Sequence, residues 1–467
     1  MKKIIGFMLV AMMSVSCDSK LDITPSDKTT LDTVSDLETL LNQPWCISTG
    51  ATDLEVLSNN TYPTNYKTVE AMLTNKNTVN YALLACDESV KRAPLTIGDL
   101  GFRYNQLYKY IQYANIIISK APDAAGDEKL RQRIIAEAHV LRAWLHFLLV
   151  NIYAGQYDES TAENEGGVPY VDNTNAQELK VKRSVAYVYE QMLKDCSDEY
   201  IAAMPQKRVE NPWRGGADFG NAVRALILFQ MKRYGDALEY AQRALDVNDI
   251  IEDQNKSLSS GSWTVDYMAE NNYLLIRGNN SNLGIYSGFL LTPEAAALIE
   301  PNDLLRTFDD EHGGWNMNPG YGTDGSFQSS GSGVHITAYG IRTENVIYTA
   351  AECLIRTGRI NDGLKMVDRV RAKRIGGYEP FAERTDVSTE AQAMKLLQDA
   401  KRVEMFATCY NYLDLKRWNS EENYRRTITR DLGDAGTVQL RPDSPLWIFP
   451  FPVESAIHNP TLTPNYE

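Results

Sequence analysis

Apolar positions recur at helical spacing along most of the chain. Tyr104, Leu107, Tyr108, Ile111, Ala114, Asn115 and Ile118 follow the i, i+3, i+4, i+7 spacing of one helix face, and Pro122 and Gly126 end it. A second run, roughly 128–153, carries Ile134, Ile135, Ala138, Leu141, Leu145, Leu148, Leu149 and Ile152 in one stripe. Val140, Trp144 and Phe147 add a second apolar side, so this helix belongs between neighbours. The pattern predicts further helices from Thr33 or Ser35 through Leu41, over 184–204 with Ser184 as N-cap, and over 220–232 and 234–246. Helix is also predicted over 344–357, 361–374 and about 389–417. The very short turn before Tyr234 makes the helices on either side antiparallel neighbours.

Two stretches lose the period. Residues 44–102 mix Pro, Gly, Asn and Tyr and read as loops and short helices. Residues 248–345 are rich in Gly, Asn and Ser and hold Trp263, Tyr267, Tyr273, Tyr286, Trp315, Tyr321, Phe327 and Tyr339. Long loops with a few short strands are expected there, with helix only near 292–300. Loops of such length are uncommon in compact domains unless they bind something. Leu446 to Pro452 is expected to be extended by its prolines.

One helix–turn–helix recurs. The segment from Ala225 to Leu238 overlays that from Ala351 to Leu364 without a gap, with Ala, Leu, Arg, Asp and Leu coinciding. This resembles a tetratricopeptide unit, although the copies are scattered rather than tandem. The expected fold class is mainly α: tetratricopeptide-like helix pairs forming a single-domain scaffold, with long loops and a few short strands.

The N-terminus reads as an export signal over residues 1–16. Lys2 and Lys3 precede an uncharged apolar run from Ile4 to Val15, too short to cross a hydrocarbon core of ~30 Å. Ser14-Val15-Ser16-Cys17 resembles a bacterial lipobox, in which the cysteine thiol, a strong nucleophile, receives diacylglycerol. Buried acyl chains contribute ~0.8 kcal/mol per CH₂, enough together for stable anchoring. The plainer alternative is an ordinary signal segment with an incidental cysteine. Residues 17–30 then form a polar tether and 31–467 the helical body, with about 248–345 as its loop-rich ligand side.

A formal charge of −14 without a basic stripe argues against nucleic acid as a partner. The cysteines after Cys17 form no CxxC pair, which argues against structural zinc. Cys196, Cys353 and Cys409 lie in helical patterns and read as small buried apolar groups. Cys46 and Cys86 lie in loop-like sequence, where a disulfide and two free thiols are both open. No HExxH, GxSxG or P-loop pattern occurs, and no cofactor is implied. His139 and His146 share a helix seven residues apart and read as interhelical packing or hydrogen-bonding groups, and Glu311-His312 as a solvated loop pair.

The motifs form an order. Leu21-Asp22-Ile23-Thr24-Pro25 follows the lipobox, then come Tyr113-Ala114-Asn115, Ala136-Glu137-Ala138, Leu141-Arg142-Ala143, Tyr153 and Gly155. Tyr339-Gly340-Ile341-Arg342, Ala350-Ala351-Glu352, Arg359 and Val370-Arg371-Ala372 follow. Lys401-Arg402-Val403-Glu404 leads to Asp414-Leu415-Lys416-Arg417-Trp418, and the chain closes with Phe449-Pro450-Phe451-Pro452 and Asn459-Pro460-Thr461-Leu462. From tether to C-terminus this order resembles the SusD/RagB family. Two places depart from it. Thr408, Cys409 and Tyr410 stand where the family usually has Glu-Gly-His, and the closing Gln-Asn-Pro-Gly-Tyr is reduced to Pro464-Asn465-Tyr466.

The resemblance implies a non-enzymatic outer-membrane lipoprotein of Bacteroidetes-type bacteria, lipid-anchored and facing the cell surface. Such a protein is a lid on a SusC-like TonB-dependent transporter and delivers oligosaccharide, sometimes peptide, to it. Asp18, just after the lipidated cysteine, fits surface display. Sugars offer flat C–H faces to aromatic rings and hydroxyls to amides and charged groups. Trp315, Asn316, Asn318, Tyr321 and Asp324 form the best such cluster. The resemblance also points to the segment before the Tyr104 helix, which offers Tyr62, Tyr66, Asn80, Tyr81, Asp87 and Arg92. Against this stands the bland reading, in which loop aromatics pack under their own loops. Trp144, Trp418 and Trp447 read as core, while Trp45, Trp213 and Trp263 are undecided. Two other classes compete: a glycosidase, which needs two carboxylates across a cleft, and a scaffold holding protein partners on helix-pair grooves.

Overall fold

The computed structural model describes residues 31–43, 51–62, 69–96, 99–207, 211, 213–254, 273–275, 290–304, 314–316, 328–330 and 338–466. The signal segment, Cys17, the tether, Trp45, Cys46, Tyr66, Trp263, Tyr267, Tyr286, Glu311, His312, Asn318, Tyr321, Asp324 and Phe327 lie outside the described residues.

Helix α1 (Val34–Leu41) starts at a capping box, with Asp36 N–H donating to Thr33 Oγ1 and Thr33 N–H to the Asp36 carboxylate. Short helices α2 (Thr52–Leu57), α3 (Val69–Thr74) and α4 (Val79–Leu84) follow, with strand β1 (Thr61–Tyr62) between α2 and α3. Then come α5 (Asp99–Lys120) and α6 (Glu128–Tyr153), packed side by side. Part of the 26-residue α6 is apolar enough to cross a bilayer, but that part is almost wholly buried in protein, as its two apolar sides require.

Strands β2 (Gly166–Pro169) and β3 (Lys182–Ser184) pair antiparallel and lead to α7 (Val185–Asp195) and α8 (Asp198–Ala203). One helix over 184–204 was expected, and the structure divides it. Ser197 accepts a hydrogen bond from Tyr200 N–H and starts α8 afresh, with Asp198 and Glu199 in the first turn. A serine that caps offers the backbone a competing partner and outweighs the continuing apolar period.

Helices α9 (Ala217–Gln230) and α10 (Tyr234–Val247) form the first repeat hairpin. Strands β4 (Tyr273–Leu275) and β5 (Leu290–Leu291), helix α11 (Pro293–Ala297) and strands β6 (Gly314–Asn316), β7 (Gln328–Ser330) and β8 (Ile341–Arg342) follow. The second hairpin is α12 (Thr343–Arg356) and α13 (Ile360–Arg371), and α10 packs on α12, so the two hairpins stack. The predicted equivalence holds in detail. Lys232 (φ 60°) and Gly358 (φ 85°) occupy the same left-handed position in the two turns. At the seam, Ala237 is fully buried, and a Cβ on its counterpart Gly363 would lie 2.6 Å from Ala351 O.

The helix expected over 389–417 is also two: α14 (Glu390–Glu404) and α15 (Tyr410–Asn419). Between them Ala407 takes φ 63°, its N–H bonds the Glu55 carboxylate, and Cys409 N–H bonds Ala338 O. Nothing in an alanine announces a left-handed turn, so the sequence pattern ran straight through. The end of the chain holds hairpin strands β9 (Ile428–Asp431) and β10 (Thr437–Leu440), then a 3₁₀ turn over Pro445–Trp447 and helix α16 (Val453–His458). The expected extended C-terminal run is therefore partly helical, because a proline is well placed in a helical first turn.

Motif residues cross-brace the helices. Trp144 Nε1–H donates to Tyr339 O (3.1 Å), Arg103 to Tyr339 Oη (2.9 Å) and Asp53 (3.0 Å), and Tyr410 Oη–H to Gly340 O (2.8 Å). Arg142 grips the Asn115 amide oxygen and chelates Asp195, which also meets His139 (2.7 Å). His146 bonds Arg142 O through Nδ1 and accepts Val171 N–H at Nε2, so the ring is neutral, and burial pushes it down to about 3. His139 thus bonds between helices, whereas His146 bonds its own helix and the loop after β2. Trp144, Trp418 and Trp447 are buried, Trp213 is half-buried, Cys196, Cys353 and Cys409 are buried thiols, and Cys86 is half-buried and unpaired.

The deepest brace joins α12 to α15. Arg417, fully buried, donates to both oxygens of fully buried Glu352 (2.7 and 2.8 Å), and Trp418 Nε1–H adds a third bond at 3.0 Å. Burial alone would raise the Glu352 carboxyl; the Arg417 charge and hydrogen bonds hold it below the ordinary value. Glu352→Ala removes the bidentate partner of buried Arg417 and leaves it the longer pairing with Asp414 (3.2 Å), and is expected to cost about 3 kcal/mol, read as a lower melting temperature in calorimetry. An unchanged melting temperature would contradict this role.

Candidate ligand-binding face

The loop-rich part rests on a buried polar turn. Ser58, Asn59 and Asn60 link α2 to β1, and all three are buried. Asn59 adopts φ 57°, a conformation asparagine tolerates better than most residues. Two arginines hold the turn. Arg402 of α14 donates to Asn60 Oδ1, to Asn59 O (2.8 Å) and to Glu294 of α11 (2.6 Å). Arg430 of β9 donates to Asn59 Oδ1 (3.1 Å) and to the terminal carbonyls of two short helices, Val56 and Leu57 of α2 and Leu83 and Leu84 of α4. A cation at two helix C-termini satisfies orphan carbonyls and meets the negative ends of both dipoles.

The same turn fixes the sheet. Thr292 N–H bonds Asn60 O and its hydroxyl bonds Asn59 O (2.8 Å), while Thr292 also caps α11. This aligns β5 with β1, pairing Thr61 with Leu291 and Tyr62 with Leu290. The sheet continues in the order β1-β5-β7-β6, with Leu290 opposite Gln328 and Trp315 opposite Ser329. The two stretches singled out in the sequence, the aromatic loops and the segment before α5, therefore meet in one antiparallel sheet.

Trp315 and Asn316 lie on β6, the end of that sheet among the described residues. Asn318, Tyr321 and Asp324 follow outside them. Tyr81 stands on α4, half-buried, its hydroxyl 3.4 Å from Asp87. Tyr62 is buried within β1. Arg92 has a different occupation from a ligand contact. It is 4% exposed, donates to Pro445 O (2.8 Å) and Ile448 O (3.0 Å), and lies over the Tyr466 ring, clasping the C-terminal segment. Sequence reasoning missed the Asn59–Arg402–Arg430 assembly. Its one visible signal was Arg402 within the Lys401–Glu404 motif, which carries no hint of a partner more than three hundred residues away.

Glu55 lies beneath the turn, fully buried, accepting from the Asn60 amide (3.2 Å) and Ala407 N–H (3.1 Å). Burial raises its carboxyl to about 8, despite these bonds.

Two family models match the chain. One, described as starch-binding and associating with the outer membrane, covers residues 19–212, and the SusD family model covers 309–440. No curated protein matches. Among solved structures, a SusD superfamily protein from Bacteroides vulgatus is similar at TM-score 0.70 and 16% identity, covering 93% of this chain and 98% of that one. A SusD-like carbohydrate-binding protein from the same species gives TM-score 0.66 and 14% identity over 93% and 98%. Surface glycan-binding protein A from Bacteroides uniformis gives 0.68 and 14% over 93% and 99%.

The pH dependence of stability tests the buried turn. With a folded value above the unfolded one, the stability contributed by neutral Glu55 is complete below about 4.5 and is lost as pH rises through about 8. Glu55→Gln removes the titration, so its melting temperature should fall less than that of the unaltered protein between about pH 5 and 9. Parallel curves for the two proteins would refute this reading of the site.

Proposed function

The chain belongs to the SusD/RagB family, and from that premise we propose that it is a lipid-anchored outer-membrane protein that binds oligosaccharide and delivers it, unaltered, to a SusC-like TonB-dependent transporter. Residues 1–16 direct export, Cys17 carries the lipid, 17–30 span the gap to the membrane, and 31–467 form one binding body facing the cell surface. The observation that carries the reading is the sheet. A helical body of stacked hairpins lifts strand β6, with Trp315 and Asn316, to the end of a sheet whose other end is the segment before α5. Rings and amides on a propped strand suit the alternating apolar and hydroxyl surfaces of a glycan. Asn318, Tyr321 and Asp324 follow it in sequence, and Tyr81 belongs to the segment before α5. Buried Arg92 clasps the C-terminal segment and is not itself a contact.

Affinity is modest in this reading, because a few ring contacts must offset the ordering of a flexible ligand. Trp315→Ala is expected to weaken binding of the best oligosaccharide from a glycan array about tenfold, or ~1.4 kcal/mol, by calorimetric titration. Unchanged affinity would remove Trp315 from the site, and release of reducing ends would replace binding by hydrolysis. Cys17→Ser should move the protein from the outer-membrane fraction to the soluble fraction of native cells. Retention in the membrane would exclude lipid on Cys17 as the anchor.

A further inference from the structure

The body is clamped where the chain enters it from the N-terminal side. Ala125 N–H donates to Asp32 O (3.2 Å) and Val34 N–H to Ala125 O (2.9 Å), so residues 32–34 pair with the turn between α5 and α6. Val34, Leu37 and Leu41 of α1 are buried. In the turn, Gly126 takes φ 146°, and a Cβ there would lie 3.1 Å from the Val34 side chain. Arg133 of α6 (3.2 Å) and Arg214 (3.1 Å) both hold Glu38 of α1. The first residues of a domain are commonly poorly ordered unless tied down, and these are tied at both ends of the first helix. The candidate ligand sheet rests on the opposite end of the same helices. At the start of α5, Arg103 bonds Asp53 of α2, and α2 runs into the Asn59 turn. Arg103 and Trp144 both bond Tyr339, two residues before β8. From Arg103 to Lys120 the helix rises about 25 Å, at ~1.5 Å per residue.

We propose that the turn between α5 and α6 is the end of the body that faces the lipid bilayer, and that the anchored protein, before it meets a transporter, carries the ligand sheet on the far end, toward the medium. This orientation rests on the lipid at Cys17 proposed above and not on the identity of the ligand. Covalent geometry limits the chain from Cys17 to Leu31 to a span of at most about 50 Å, so the attachment turn stays within that distance of the lipid. The sheet, a further ~25 Å along the helices, is not so confined. An impenetrable bilayer blocks poses that point the sheet at it and none that point the sheet away. The attachment turn is therefore, on average, the nearer end.

The test places the full lipidated chain on phosphatidylcholine vesicles that contain a fluorescent acceptor lipid. A donor dye is attached to Lys129→Cys, in the first turn of α6, or to Glu88→Cys, just past α4, whose last carbonyls Arg430 ties to the Asn59 turn. Both positions are exposed, and the signal of dye-treated unaltered protein is subtracted. Energy transfer at least twofold more efficient from position 129 than from position 88 is expected, with both signals lost when Cys17→Ser is added. Equal or reversed transfer that is lost with Cys17→Ser defeats the orientation and leaves the anchor standing. Transfer that persists in Cys17→Ser defeats the anchor, and the orientation with it.

Discussion

Two guanidiniums closing on one buried turn are the constraint from which the candidate ligand face follows. Ser58, Asn59 and Asn60 are almost wholly removed from water, so their donors and acceptors need protein partners. Arg402 brings the helical body to the turn, and Arg430 brings the C-terminal hairpin and the ends of α2 and α4. Thr292 then ties the loop-rich part to the same carbonyls. The sheet that carries Trp315 is thus continuous, through hydrogen bonds, with α14 and with β9. Its strands are too short to be stable alone, and the buried turn gives them a fixed base.

The helical scaffold was legible because its period is long and unbroken. The stripe of α6, the stop at Pro122 and Gly126, and the two repeat hairpins all appear where the spacing placed them. The failures share one cause. At Ser197 and Ala407 the apolar period continues while the backbone turns, in one case because a hydroxyl caps and in the other because Glu55, distant in sequence, holds Ala407 N–H. Periodicity reports which face is buried; it does not report a hydrogen bond supplied by another segment.

The motifs that brought the family to mind turn out to be braces. Asn115 and Arg142 bind each other, Tyr339 and Gly340 receive Trp144, Arg103 and Tyr410, and Arg417 and Trp418 converge on Glu352. This explains why whole-chain order carried the fold so well and named so little of the site. Tyr410, one of the residues departing from the family pattern, bonds Gly340 and so keeps a structural place. The candidate face lies in the stretches without period, where residue type suggested a ligand class but spacing fixed no geometry. Arg92 shows the limit: an arginine near the nominated segment, suited by type to a sugar hydroxyl, is spent on backbone carbonyls of the C-terminus.

We propose that ligand is held on the sheet propped by the Asn59 turn, and not in the grooves of the helix hairpins. Hydrogen–deuterium exchange of the full chain, with and without a bound neutral oligosaccharide, tests this directly. Slowed exchange at 61–62, 314–316 and 328–330, with α9, α10, α12 and α13 unchanged, is the predicted result. Protection confined to those four helices, with the sheet exchanging as in the free protein, would contradict it.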